Sequence, residues 1–232
     1  MNETILKEIY SHRDKKRAKA SSWYFKTGKG QYGEGDVFLG LTVPLSRKIA
    51  QKYQNMSDVE IASLLKNKIH EIRLIALLIL VAKYKNSKEK NKKKIVDFYL
   101  KNTRYINNWD LVDLSAHYIV GDYLLSNENG EILLKLARSK NLWEQRIAIV
   151  STFALIKKGD IKWSIKIAKI FLNHEHDLIH KATGWMLREV GKKNMKELRK
   201  FLDNNLSKMP RTMLRYAIER FPENLRLKYL KK

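Results

Sequence analysis

Glu71-Ile72-Arg73-Leu74-Ile75-Ala76 returns in altered form four more times along the chain. The later copies are Asp110-Leu111-Val112-Asp113-Leu114-Ser115, Glu144-Gln145-Arg146-Ile147-Ala148-Ile149, Ile179-His180-Lys181-Ala182-Thr183-Gly184 and Met213-Leu214-Arg215-Tyr216-Ala217-Ile218. The central positions Arg73, Val112, Arg146, Lys181 and Arg215 lie 39, 34, 35 and 34 residues apart. A period of that size is the signature of a solenoid built from helix pairs. Ala76, Ala148, Ala182 and Ala217 follow their anchors within three residues and suit close helix approach.

Outside these blocks the pattern is helical as well. Apolar residues recur with helical spacing over 58–65, 69–84, 92–101, 110–125, 130–138, 142–157, 161–172, 177–190, 195–205 and 211–220. Alternating strand patterns are nearly absent. The three prolines, Pro44, Pro210 and Pro222, stand at the heads of helical stretches, where a missing N–H is tolerated. The expected fold is all-α: a right-handed solenoid of paired antiparallel helices of the HEAT-like or ARM type. It forms a single domain over 1–232, with an N-terminal helix and glycine-rich loop over 1–40 and the repeat array over 41–232.

Gly28 to Gly40 holds five of the ten glycines. Its letters match G-x-G-x-x-G, but no strand precedes it and no βαβ unit surrounds it, so a dinucleotide site is rejected in favour of a flexible loop. Lys83 to Lys94, with seven lysines, reads as a solvated loop between helices.

The chain carries 47 Lys and Arg against 24 Asp and Glu, a formal charge of +23. An acidic partner is implied, and nucleic acid is the obvious polyanion. Five Trp and eleven Tyr exclude a merely disordered basic tail. Absence of cysteine excludes disulfides, iron–sulfur clusters and thiolate zinc sites. Met1 to Thr4 offers no apolar leader core, and the longest apolar run, Ile72 to Ala82, is far short of the ~20 residues that span a bilayer. The expectation is a cytoplasmic monomer without membrane contact.

If the second helix of each pair lines a concave surface, Arg73, Arg146, Lys181 and Arg215 form a basic stripe interrupted by Asp113. Trp109 lies one turn before that acid on the same helix face. Trp185 lies one turn after Lys181, and Arg188 follows on nearly the same face. Indoles attract cations, and arginine forks hold phosphate. The set suits a cationic reacting centre on an anionic backbone, such as an alkylated purine nucleotide, whose N-glycosidic cleavage develops positive charge on the sugar. From the residues alone a second reading of Asp113 stays open, a buried ion pair with Arg146. Trp143 and Trp163 read as core. His176 and His180 have metal-compatible spacing, but H-E-x-x-H is absent and the neighbouring acids look like helix N-terminal charges, so no metal is expected.

Asn108-Trp109-Asp110-Leu111-Val112-Asp113, Trp143-Glu144-Gln145-Arg146-Ile147-Ala148 and Lys181-Ala182-Thr183-Gly184-Trp185-Met186-Leu187-Arg188-Glu189 resemble the AlkD-like DNA alkylation repair proteins, roughly from Phe38 to Phe221. The resemblance implies a C-shaped stack of helix pairs that holds double-stranded DNA and releases cationic N3- and N7-alkylated purines without cofactor or metal. It implies Asp113 as the catalytic carboxylate, with Trp109 and Trp185 cradling the sugar and phosphate of the lesion. Arg146 and Arg188 hold backbone phosphate; Lys181, Arg73, Arg215 and Tyr24 complete the expected DNA contacts. One departure is expected: a short second helix that carries aromatic contacts in family members is replaced here by the Gly28–Gly40 loop, behind Trp23, Tyr24 and Phe25. The alternatives are a non-catalytic DNA-binding module of the same family and a helical scaffold for an acidic protein.

Overall fold

The computed structural model describes residues 3–127 and 130–231. Every regular element among them is helical, and the one β feature is an isolated bridge between Val37 and Ile69. By internal packing the chain divides into two compact units, Met1–Ser115 and Ala116–Lys232.

The first unit contains α1 (Glu3–Ser11), α2 (Lys15–Tyr24), α3 (Val43–Lys52), α4 (Asp58–Leu65), α5 (His70–Asn86), α6 (Glu89–Lys101) and α7 (Trp109–Asp113). Caps explain several boundaries. Ser57 and Glu60 form a reciprocal capping box that opens α4. Thr42 caps α3 with Pro44 in its first turn. The core is centred on α5, which is apolar almost all round and packs against α3, α4, α6 and α7.

The second unit contains α8 (Asp122–Ser126), α9 (Glu131–Ala137), α10 (Leu142–Lys157), α11 (Lys162–Ile170), α12 (Asp177–Lys193), α13 (Met195–Asn205), α14 (Arg211–Ala217) and α15 (Glu223–Lys231). Long α10 and α12 pack on each other, and each also packs on shorter neighbours: α8, α9 and α11 for α10, α11, α13 and α14 for α12. Gly184 lets α14 approach α12. A Cβ there would stand 2.5 Å from the Met213 carbonyl oxygen and 2.5 Å from the Tyr216 Cβ. Gly184→Leu is expected to cost about 3 kcal/mol, because overpacking exceeds the ~1 kcal/mol gained by removing a mid-helix glycine. The thermal midpoint should fall by roughly 10 °C, and calorimetry showing an unchanged midpoint would contradict this packing.

Four expectations are corrected. Residues 1–40 hold two helices, so the second helix is present ahead of the glycines. The lysine-rich stretch 83–94 is mostly helix, shared between α5 and α6 around a break at Ser87 and Lys88. The helix expected over 110–125 is broken: α7 closes at Asp113, Leu114 and Ser115 form a turn, and a π-helical stretch, His117–Gly121, precedes α8. The glycine-rich segment is anchored rather than free. His70 N donates to Val37 O at 2.8 Å and Asp14 N to Leu39 O at 2.8 Å. The buried carboxylate of Glu71 accepts from the amides of Leu39, Gly40 and Leu41 at 2.7–3.2 Å. Gly40, at φ 87°, is the residue that lets three successive amides turn toward one carboxylate.

Candidate functional site

In the first unit, α7 is only five residues long and is held from its N-terminus. Asn108 caps it, its Oδ1 accepting from Trp109 N at 2.8 Å. Asp110 Oδ1 accepts from Leu111 N at 2.8 Å. Trp109 and Asp113 stand four positions apart, so both project from one face. Both side chains are part-exposed, while Asp110, Leu111 and Val112 between them are buried. Asp113 therefore reaches the surface rather than the packed interior. Beneath it Tyr99 bonds Ser115 Oγ at 2.9 Å. Burial raises the Tyr99 phenol, the Ser115 bond lowers it, and the negative charge of Asp113 raises it further.

The indole of Trp109 sits on an aromatic stack. Phe25 lies flat against it, centroids 5.1 Å apart at 15°, and Tyr24 meets it edge-on at 5.9 Å. Phe25 also stacks on Phe38 at 5.0 Å. Tyr24 and Trp23 are 58 % and 74 % exposed at the end of α2, with Lys26 Nζ 4.7 Å from the Trp23 ring. No residue of α2 is buried, and four of its ten residues are basic. A helix without a buried face, tipped by exposed rings, is a surface suited to contact with an anion-bearing aromatic partner.

Behind the stack lies a buried polar network. His70 Nδ1 meets Asp36 Oδ2 at 3.2 Å and His70 Nε2 meets Asp110 Oδ2 at 2.8 Å. Arg73 Nη2 donates to Asp36 Oδ1 at 2.6 Å, and Asn108 Nδ2 to Asp36 Oδ2 at 3.1 Å. Burial pulls the imidazole pKa down, but the charge and hydrogen bond of Asp110 and the hydrogen bond of Asp36 outweigh it, and the value rises to about 9. Asp36 moves the other way: burial raises it, while His70, Arg73 and Asn108 together hold it below the usual carboxylate range.

A histidine raised from 6.5 to about 9 stabilises the fold fully below pH ~6.5 and loses that contribution as pH rises through about 9. The charged groups facing it are Asp36, Asp110 and Arg73. Thermal midpoints of the wild type should fall between pH 6.5 and 9 more steeply than those of His70→Phe. Parallel curves would show that His70 does not carry the charge assigned to it.

In the second unit, Trp185 of α12 is part-exposed and 5.6 Å from Phe153 of α10. Lys157 Nζ lies 4.4 Å from the Phe153 ring, and His117 packs edge-on against Phe153 at 5.4 Å and beside Tyr118 at 3.9 Å. His117 and Tyr118 belong to the π-helical stretch, a distortion that often accompanies functional sites.

The basic stripe does not survive. Arg73 is 4 % exposed; besides Asp36 it serves the carbonyls of Asn67 and Lys68. Arg146 is 5 % exposed, with Nη1 donating to Leu178 O at 2.6 Å. Both anchors are thus internal ties to backbone carbonyls, Arg73 to the loop before α5 and Arg146 to the first turn of α12. Lys181 is paired with Asp177 at 2.6 Å; Arg188 contacts Glu189 and Glu219; Arg215 is exposed. Trp143 is buried, as a core reading expects, whereas Trp163 is part-exposed and covers Gly130.

The histidines at 174–180 make hydrogen bonds. His174 Nδ1 accepts from His176 N and its Nε2 donates to Gln145 Oε1 at 2.8 Å; His176 caps α12; His180 donates to His174 O. Burial lowers the pKa of His174 and His176, which suits neutral rings in these roles. Among the described residues no group of three or more His, Cys, Asp or Glu could hold a metal ion. No described helix is long and apolar enough to cross a membrane.

The sequence reading gives no role to Phe25, Asp36, His70, Asn108, Phe153, His117 and Tyr118. Three of them left a signal: Phe25 beside Trp23 and Tyr24, Asn108 at the head of the Trp109–Asp113 block, and Asp36 as an acid among glycines.

Every regular element among the described residues is helical, and a part-exposed acid stands one turn from a part-exposed indole on a chain of charge +23, which defines an all-α protein of the solenoid-like class. The chain belongs to the DNA alkylation repair enzyme family, whose model matches residues 5–221, and its role lies in DNA repair. Among proteins with curated descriptions none matches it. Its fold is similar to a solved structure described as a predicted DNA alkylation repair enzyme from Enterococcus faecalis, with a TM-score of 0.70 at 16% identity over 91% of this chain and 97% of that one. At that identity the likeness speaks to fold alone.

Proposed function

We propose that the protein is a monofunctional DNA glycosylase that hydrolyses the N-glycosidic bond of cationic N3- or N7-alkylated purines in duplex DNA. The observation that carries this reading is Asp113: a carboxylate at the surface end of α7, one turn from the part-exposed indole of Trp109, on a chain of charge +23. As the bond from the sugar to the base breaks, its electron pair passes to the purine and cancels the positive charge there. Positive charge develops on the sugar, where a fixed carboxylate stabilises it and orients a water. The water oxygen bonds the anomeric carbon and its proton leaves to solvent. No Schiff base is required, because a cationic leaving group departs readily.

Trp109 presents an edge and face braced by Phe25 and Tyr24, suited to a sugar beside a cationic base. Trp185 and Arg188 in the second unit are assigned to sugar-phosphate contact, Lys181 and Arg215 to phosphates. Arg146 and Arg73, spent on internal bonds, are reassigned as supports. A second reading, DNA binding without turnover, is favoured by α2, whose exposed rings and cations need no chemistry.

The deciding measurement is release of 7-methylguanine or 3-methyladenine from methylated duplex, beside gel shifts on methylated and unmodified DNA. Release supports the glycosylase; tight binding with no release supports the module.

A further inference from the structure

We infer that His70 is a positioning residue for the helix that carries Asp113, acting as a bridge from Asp110 on that helix to Asp36 on the glycine-rich segment. The inference rests on the glycosylase reading of Asp113.

Geometry makes the bridge specific. Both ring nitrogens of His70 face carboxylate oxygens, at 3.2 and 2.8 Å. A neutral imidazole has one donor and one acceptor, so only the imidazolium satisfies both sides. The ring is 1 % exposed. It has no path to substrate and both nitrogens are committed, so it is not an acid or base of the reaction. Its faces are flanked by Phe38, stacked at 4.6 Å, and by Phe25 at 5.0 Å, an arrangement that favours a cation.

The bridge bears on α7 by two routes. Through Asp110 it grips the first turn, whose other carboxylate oxygen already holds Leu111 N. Through Phe25 it braces the flat stack under Trp109. Asp36 adds a third hold by accepting from Asn108, the α7 cap. A five-residue helix has too few internal hydrogen bonds to keep its own direction. Asp113 sits one turn from Asp110, so any swing of the first turn reaches the carboxylate. A misplacement of about 1 Å at a reacting group costs on the order of 10²-fold in rate.

The glycine-rich segment thereby acquires a role. It is not a substrate cradle but the rear mount of the site: Glu71 gathers its amides, Asp36 anchors it to His70 and Arg73, and Phe38 closes the ring face.

The test uses His70→Gln and His70→Phe in the full chain. Gln keeps one donor; Phe keeps the stacking and loses both. Single-turnover release from methylated duplex, duplex affinity by gel shift, and amide exchange of residues 109–115 are measured at a temperature where circular dichroism reports the wild-type helix content. The expected result is a release rate down about 10²-fold in His70→Phe and less in His70→Gln. Duplex affinity stays within about twofold, and exchange rises at 109–115 while the interior of α5 stays protected. Loss of affinity in step with rate, or unchanged exchange at 109–115, overturns the assignment. Wild-type protein that releases no base overturns the glycosylase reading and the catalytic half of this one. The tether is then still judged by amide exchange, so the two failures are told apart. Should His70→Phe not fold, His70→Gln with the same three measurements decides.

Discussion

On the glycosylase reading, Asp113→Asn is expected to lower base release at least about 10²-fold below wild type, while duplex affinity is retained or slightly raised. The magnitude is that of removing one preorganised electrostatic group from a transition state. Asparagine keeps the size of the side chain and its place at the end of α7, so the rings of Trp109, Phe25 and Tyr24 remain stacked. What disappears is the full negative charge that the glycosylase reading sets opposite the developing sugar cation. Affinity for a polyanion does not need that charge; removing it lowers repulsion from phosphate. Release assays and gel shifts on the same preparation check both halves. A variant that still releases 7-methylguanine at the wild-type rate removes Asp113 from the chemistry.

Asp36→Ala is expected to be the most destabilising single polar substitution in the first unit, by about 3–5 kcal/mol, the usual cost of removing one partner of a buried ion pair. Asp36 accepts from His70, Arg73 and Asn108 together. Without it two cations, 1 % and 4 % exposed, lose a shared anion, and the α7 cap loses a tie. The damage should appear as a lowered denaturant midpoint and greater protease sensitivity within 26–42. A drop under 1 kcal/mol would mean that water replaces the lost acceptor and that Asp36 does not hold the network together. Asp36→Asn should fall between, since it keeps one acceptor and loses the charge.

The period of about 35 residues, the prolines at helix heads and the absence of alternating runs were sufficient to expect an all-helical repeat protein, because helical periodicity and packing of small residues are local properties written within one or two turns. Trp109 and Asp113 were legible for the same reason: four residues apart on a helix means one face. The charge of +23 and the family resemblance pointed to DNA, and the family match agrees.

What sequence spacing misjudged was direction. Arg73 and Arg146 share an anchor position, and the natural reading places both on a groove. In the folded chain each turns inward: Arg73 ties Asp36 and the two loop carbonyls of Asn67 and Lys68, and Arg146 ties the Leu178 carbonyl, 32 residues on. Likewise nothing near Asp36 announces its partners at 70, 73 and 108, which lie 34 to 72 residues on. Helix, period and the shared face of Trp109 and Asp113 were determined by the sequence itself, through short-range sterics and backbone hydrogen bonding. Which cations stay at the surface and which are consumed inside, and that the glycine-rich segment is tied through Asp36 to His70 and Arg73, only tertiary structure decided. A buried charge must find its counter-charge wherever the chain brings one, and that place is not encoded in neighbouring residues.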